Sequence, residues 1–441
     1  MSKKINFIFF IVFSIIAVLT TAFVIITYSG YKIDFKYMRL IKTGSIYINT
    51  NPTKADIYID NKKIDQRTPA IINHVIPGRH TITLEKKGYK TWETNIDIPP
   101  EITTFLNCEL IYEDIELSKT SELSNQPLIL SNNKRYILYI KHENNLNNVY
   151  VYDIASQEQF KIYSTISNIG RIEWAPDNKR VLLLVNGKFL VINLNIIELP
   201  VINNAIQSHK LINLNALIPD IADIIWNQSA DNILVITNDK QLYKVDINSE
   251  EITKININDF GRIGLFINDK IIYINSQNIL REYNISSDLT NEYIDYNNIK
   301  NIKYYDDYIV LLNNQDMFII FRKDLKSEPI KLSGERIEFN KNRVITFNNS
   351  EINIYDLREG VLNNTLRYGK KIIDLDFYNN NYIVLILEDE IKLINIDGSS
   401  LNELNLISNI KSIQHVIVLD NRINIIYKDG DSYMISHIDL R

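Results

Sequence analysis

The chain has 441 residues, enough for two or three domains that each bury a core, and its 45% hydrophobic and 23% charged residues are ordinary for globular protein. A net charge of −5 supplies no basic field, which argues against a nucleic-acid partner. The single cysteine, Cys108, excludes an internal disulfide, so stability rests on packing.

After Met1-Ser2-Lys3-Lys4 an apolar run extends from Ile5 to Ile26, broken only by Asn6, Ser14, Thr20 and Thr21. Those roughly 22 residues, at about 1.5 Å each, reach across a bilayer core of about 30 Å. Tyr28 and Tyr31 follow where an aromatic belt lies. The rival reading, a cleaved signal peptide, calls for a shorter run and a small-x-small site, which the stretch from Ala17 to Ala22 does not offer. Residues 1–28 are therefore expected to be a single-pass transmembrane anchor in the cell membrane, with residues 29–43 as a stalk. Lys3 and Lys4 place the N-terminus in the cytoplasm, while Lys32, Lys36, Arg39 and Lys42 pull the other way. A long folded domain is translocated largely regardless of nearby charge, so the bulk of the chain is expected outside the cytoplasm.

From Gly44 the pattern turns to period two. Ser45-Ile46-Tyr47-Ile48-Asn49 alternates, as do Thr81-Ile82-Thr83-Leu84 and Asn95-Ile96-Asp97-Ile98, with turn signals at Asn51-Pro52, Asp60-Asn61, Pro77-Gly78, Lys87-Gly88 and Pro99-Pro100. Five or six short strands over residues 44–111 predict a small antiparallel β-sandwich. The residues Asn51-Pro52-Thr53-Lys54-Ala55, Ile59-Asp60, Thr68-Pro69, Pro77-Gly78-Arg79-His80 and Lys87-Gly88-Tyr89, in that order, resemble the PEGA domain of bacterial surface proteins. Pro52 and Ala55 of the namesake tetrapeptide are kept, while Thr53-Lys54 replaces its Glu-Gly. Pro52, Ala55, Asp60, Pro69, Pro77, Gly78, His80, Gly88 and Tyr89 read as structural: prolines and glycines set turns, Ala55 packs tightly and Tyr89 caps an edge. The resemblance implies a surface-exposed spacer or a carbohydrate- or protein-contacting module, with no catalytic role.

Residues 112–441 repeat a unit of an apolar strand, an Asn/Asp turn, a strongly apolar second strand, another turn and a third strand. The first turns stand at Asn132-Asn133, Asp177-Asn178, Asp231-Asn232, Asn268-Asp269, Asp306-Asp307, Asn340-Lys341-Asn342, Asn379-Asn380 and Asp420-Asn421. A period near 40 residues is that of a propeller blade with four strands. Second strands such as Val181–Val185 and Ile383–Leu387 are apolar throughout, as suits strands buried on both faces. Ile172-Glu173-Trp174-Ala175-Pro176-Asp177-Asn178-Lys179 resembles the turn of TolB-like and WD40-like propellers, with Trp174, Pro176 and Asp177 as its structural residues. The last unit, ending in Ser432 to Leu440, supplies three strands. The alternating Ile111–Leu117 is expected to add the fourth, giving an all-β protein with a propeller of eight blades, or seven as the alternative.

Catalytic chemistry is not written into the chain. There is no G-x-S-x-G elbow and no Gly-rich phosphate loop. His74, His80, His142, His209, His415 and His437 show no metal-ligand spacing, although His415 and His437 share a unit. Cys108 reads as core. Asp306-Asp307 and Asp429-Gly430-Asp431 read as hairpin turns before they read as calcium ligands, and the N-x-S/T triplets at Asn227, Asn284, Asn348 and Asn363 as chance matches in an Asn-rich chain. No catalytic, metal-binding or cofactor-binding residue is assigned, and no residue is named for binding. The expected role is a membrane-anchored binding or scaffolding protein of the cell envelope, not an enzyme, whose propeller meets a protein or glycan. The alternative is an enzyme of envelope glycans with paired carboxylates in the propeller's central funnel. A third reading, an anchored sensor, lacks a signalling segment before Ile5.

Overall fold

The computed structural model describes the chain except for residues 1, 29, 35–38, 116, 119–120, 195–210, 258, 306, 323, 342, 359, 397–402, 409–411 and 441. The expectations for Lys36, Asp306, Asn342 and Glu116 fall outside the described residues, as does His209. Two compact units divide the chain: Met1–Glu116 with Ile394–Leu404 and Asp439–Arg441, and Leu117–Leu393 with Asn405–Ile438.

The first unit opens with helix α1 (Ser2–Tyr28). The expected transmembrane span is overturned here: among the described residues no helix is long and apolar enough to cross a membrane. Thr20 and Thr21 return their hydroxyls to the carbonyls of Ile16 and Ala17. With the span goes the single-pass, cell-membrane localisation built on it. Strands β1 (Tyr31–Asp34) and β2 (Arg39–Lys42) then pair antiparallel.

The remaining strands of this unit are β3 (Gly44–Asn51), β4 (Asp56–Ile59), β5 (Lys62–Arg67), β6 (Ala70–Val75), β7 (Gly78–Glu85), β8 (Trp92–Ile98) and β9 (Thr103–Glu109). They form a three-stranded sheet in the order β6-β3-β9 and a four-stranded one in the order β5-β4-β7-β8. The period-two pattern does its work: Ile46, Ile48, Ile57, Ile82, Leu84, Trp92, Ile98, Leu106 and Cys108 interleave in one core. Cys108 is accordingly a buried core thiol. One pairing departs from the antiparallel expectation, because β3 and β9 run parallel over seven registered positions from Ser45↔Thr103 to Asn51↔Glu109.

The second unit consists of sheets of four strands that follow one another along the chain. Seven are continuous in sequence and their first strands are Ile129–Leu130, Ile169–Trp174, Ile221–Trp226, Arg262–Ile267, Ile299–Tyr305, Arg336–Asn340 and Ile372–Phe377. The eighth joins Ile413–Leu419, Arg422–Asp429 and Ser432–Asp439 to a strand from the beginning of the unit, Ser121–Ser124. These eight sheets are blades 1 to 8 of a propeller. Apolar clusters fill the seams: one joins blades 2 and 3 through Leu182, Val191, Trp226 and Val235, and another joins blades 8 and 1 through Leu123, Ile137, Ile417 and Ile435. Burying each such aliphatic side chain contributes about 1.5–3 kcal/mol, which is why the second strands are apolar on both faces.

The closing strand lies downstream of the expected one. Ser121 pairs with Ile435 and Glu122 with Met434. Ile111 and Tyr112 are not part of a strand beside the last one: the Ile111 carbonyl accepts from Lys90 N–H, Tyr112 bridges Tyr89, and Tyr112 N–H makes a single bond, 3.3 Å, to the carbonyl of Leu440, just past that strand's end. The physical reason is apolar demand. Leu110 and Ile111 are already buried in the first unit, whereas Leu123 offers its side chain to the seam between blades 8 and 1.

Candidate functional site

The turn after the first strand of blades 1 to 3 is one structure built three times. In residues 131–136, 175–180 and 227–232 the first N–H or its equivalent reaches across the turn. Ser131 N–H donates to the Tyr136 carbonyl, Ala175 to Arg180 and Asn227 to Asn232, while Lys134, Asn178 and Ala230 donate back to Ser131, Ala175 and Asn227. The fourth position is left-handed in each, with φ of 58° at Lys134, 58° at Asn178 and 61° at Ala230. Asn is at ease in that conformation; a lysine there is unusual.

Lys134 uses the position to reach across the axis around which the blades succeed one another. Its ammonium donates to Glu338 Oε2 at 2.9 Å and to Asp376 Oδ1 at 2.8 Å, joining blade 1 to blades 6 and 7. Burial by itself disfavours the charged lysine, but Asp376 and then Glu338 outweigh it and hold its pKa above the usual lysine range. Burial pushes both carboxyls up, and Lys134 offsets only part of that. Asp376 is 6% exposed and its second oxygen accepts from Val418 N–H of blade 8 at 2.9 Å.

Two residues earlier on the same strands lies a second charged layer. Arg336 gives its guanidinium to the carbonyls of Ile372 and Ile373 and rests over the Phe347 ring, 4.2 Å from its centroid. Burial pulls its pKa below the usual arginine value. Asp374 Oδ2 accepts from Val416 N–H at 3.1 Å and meets His415 Nδ1 at 3.3 Å, and that bond raises the histidine's pKa. On blades 2 and 3, Arg171 binds Glu173 and Asp223, each at 2.6 Å. Beside these layers a cavity of about 310 Å³ opens between blades 5 and 6. Its apolar wall includes Val310, Leu312, Phe318 and Phe347, and its polar wall Lys303, Glu335 and Glu338. Burial pushes the pKa of Tyr305, also in this wall, up to about 12.

Of these axial residues only His415 was singled out from the sequence, which offered no carboxylate pair for the funnel. The pair is Glu338 and Asp376. The one signal for Lys134 is its place in a turn repeat where blade 2 has Asn. His415 and His437 do not come together: His415 meets Asp374, and His437 Nδ1 lies 2.6 Å from Ser118 Oγ. Among the described residues no group of three His, Cys, Asp or Glu side chains is placed to hold a metal ion.

The motif residues of the first unit lie in turns. Asp60 and Asn61 have φ of 51° and 62° and join β4 to β5. Asp60 Oδ2 meets His80 Nδ1 at 2.7 Å and Asp60 Oδ1 accepts from Thr81 N–H at 3.0 Å; against the effect of burial, these bonds hold its carboxyl below the usual range. Pro52 and Pro69 follow cis peptide bonds, and Ala55, fully buried, donates its N–H to Thr68 Oγ1 at 2.9 Å. Pro77 precedes Gly78, at φ 138°, where β7 begins. Gly88 sits at φ 83° before Tyr89, whose ring lies 5.0 Å from that of Tyr112.

Residues 43–113 match the PEGA domain. No curated protein matches the chain. Solved structures similar to it include the C-terminal WD40 domain of Sif2, at 11% identity and TM-score 0.47, covering 74% of this chain and 98% of that one. BamB from Moraxella catarrhalis aligns at 12% identity and TM-score 0.43, covering 74% and 98%. The β-propeller domain of Myceliophteria thermophila Cps50 (Swd1) aligns at 9% and 0.40, covering 74% and 100%.

Within the PEGA domain the departure from the namesake tetrapeptide has a measurable consequence. Lys54 stands where the tetrapeptide has glycine, and its φ is 66°, in the left-handed region. Its N–H donates to the Thr68 carbonyl at 2.7 Å, which holds the backbone in that conformation. In blade 2 the propeller-type turn is built as its residue types demand. Trp174 Nε1 donates to the Ile129 carbonyl of blade 1 at 3.2 Å, Pro176 leads the turn, and Asp177 accepts from Lys179 N–H at 2.9 Å and pairs with Arg180 at 2.8 Å.

Proposed function

We propose that this chain is a binding or scaffolding protein, not an enzyme, whose propeller meets a protein partner at the axial mouth beside the cavity between blades 5 and 6. The observation that carries the reading is how the axial charges are spent. Lys134, Glu338 and Asp376 satisfy one another, and Arg336, Asp374 and Asp376 bond the backbone of the neighbouring blade. Groups used this way stiffen the blades and present a shaped surface; they are not held ready to exchange protons with a substrate. A rigid closed ring with a cavity of side-chain size suits capture of a protruding protein loop.

A second reading, hydrolysis of a glycan in the funnel, draws on the raised carboxyls of Glu338 and Asp376. Against it stand the near-complete burial of Asp376 and the bond each carboxylate makes to Lys134. The test uses a photo-crosslinking amino acid placed at Lys303 or Glu335 in the full chain, expressed in its native cell, with Ile294 on an outer strand as control. The proposal expects the same protein adduct from both axial positions and none from the control. Absence of any adduct at the axial positions would sink it. A Glu338→Gln variant that abolishes turnover of a glycan would move the case to the second reading.

A further inference from the structure

The cavity between blades 5 and 6 holds ionic and polar groups that the fold leaves unused. Its blade 5 wall comes from the strand Ile299–Tyr305, where Lys303 and Tyr305 lie two residues and roughly 7 Å apart, on one face. Its blade 6 wall begins at Glu335, just ahead of the strand Arg336–Asn340. Val310, Leu312, Phe318 and Phe347 supply the apolar surface.

The polar lining falls into two sets. Arg336 is spent on the Ile372 and Ile373 carbonyls, Glu338 on Lys134, Asp374 on Val416 N–H and His415, and Asn301 Oδ1 on Ile302 N–H. Among the described residues, by contrast, the Lys303 ammonium, the Tyr305 hydroxyl and the Glu335 carboxylate make no hydrogen bond or ion pair, and Glu335 acts on Arg336 only through space. With Lys134 counted, the cations Lys303, Arg336 and Lys134 balance the carboxylates Glu335, Glu338 and Asp374. A ligand of net charge therefore gains little from the cavity as a whole. One with no net charge but two separated poles engages both unused ions. At about 310 Å³ the cavity stands at the lower end of small-molecule pockets, about 300–1,000 Å³, which suits a ligand of amino-acid size.

We propose that this cavity binds a small apolar zwitterion, a free amino acid such as leucine, methionine or phenylalanine, with Lys303 and Tyr305 holding its carboxylate, Glu335 its ammonium and the apolar surface its side chain. The site stands on the cavity alone; that its ligand competes with the loop of a protein partner rests on the reading above. It is tested on the full chain by isothermal titration with L-leucine, L-methionine and L-phenylalanine, and with the N-acetyl and amide forms of whichever binds. Binding of at least one amino acid is expected, weakened roughly tenfold or more by Lys303→Met and by Glu335→Gln. The N-acetyl form, which has no ammonium, and the amide, which has no carboxylate, should each bind the parent at least tenfold more weakly than the free amino acid. Lys303 and Glu335 are exposed, so both variants are expected to keep the parent melting curve, and a loss of affinity then reports the cavity. No binding of any of the three amino acids, capped forms that bind as tightly as the free one, or affinity unchanged in either variant would overturn the proposal. The titrations contain no partner protein, so a null result in them and an absent adduct at the axial positions are separate outcomes.

Discussion

Lys134 Nζ lies 2.8 Å from Asp376 Oδ1 although 242 residues separate the two in the chain. The same ammonium holds Glu338, so one side chain ties blade 1 to blades 6 and 7. Removing it leaves two carboxylates in a poorly solvated place with no counter-charge. Breaking such a pair typically costs about 3–5 kcal/mol. Lys134→Met is therefore expected to destabilise the propeller by a few kcal/mol in urea denaturation. Adding Glu338→Gln and Asp376→Asn to the same variant should restore part of the loss. A midpoint unchanged in the single variant would show that the clamp contributes nothing.

The pair formed by His415 and Asp374 predicts a pH dependence. The bond from Asp374 raises the histidine's pKa above 6.5, while nearby Arg336 opposes the rise. A raised folded-state pKa means that the contribution is fully present below 6.5 and is lost as pH rises through the folded value. His415 is exposed, so the effect is small. Denaturation midpoints taken between pH 5.5 and 8 should fall more in the parent than in Asp374→Asn. Parallel curves for the two proteins would remove His415 as a contributor.

Lys54 offers a test in the PEGA domain. A side chain at φ 66° carries a left-handed penalty of about 1–2 kcal/mol, and glycine escapes it while adding some freedom to the unfolded chain. Lys54→Gly should stabilise the domain by about 0.5 kcal/mol, and the β-branched Lys54→Val should destabilise it by about 1–2 kcal/mol. Thermal melts of the three proteins would rank them Gly, Lys, Val; any other order contradicts the strain.

What the sequence made legible follows from locality. Asn and Asp mark the turns and the apolar second strands mark the blade centres, because both signals arise from neighbours in the chain. Period-two alternation likewise picked out the strands that bury Ile46, Ile48, Ile82 and Leu84. The axial site is different in kind. Lys134, Glu338 and Asp376 are ordinary charged residues next to turns or within alternating strands, and only closure of the ring brings them together. The parallel pairing of β3 with β9 was hidden for the same reason, since alternation gives a strand its faces but not its neighbour. The helix α1 shows the opposite error: an apolar run was legible, and a span was read into it.

The last test concerns the closing strand, where two nearby leucines make opposite forecasts. Leu117 lies in the segment expected to close the ring and is 39% exposed, whereas Leu123, in the strand that does close it, is fully buried. Leu123 packs with Ile137, Tyr139 and Ile435, so it belongs at once to the first blade and to the last. Truncating it opens a cavity in the seam that fastens the two ends of the propeller, and such a loss costs about 2–5 kcal/mol. Leu117→Ala removes a side chain that is already partly in water and should cost less than about 1 kcal/mol. Urea unfolding followed by tryptophan fluorescence suits the comparison, since Trp174 and Trp226 lie in blades 2 and 3. Leu123→Ala should lower the midpoint clearly and Leu117→Ala hardly at all. Equal effects, or a larger one at Leu117, would return the closing role to the upstream segment and undo the seam described between blades 8 and 1.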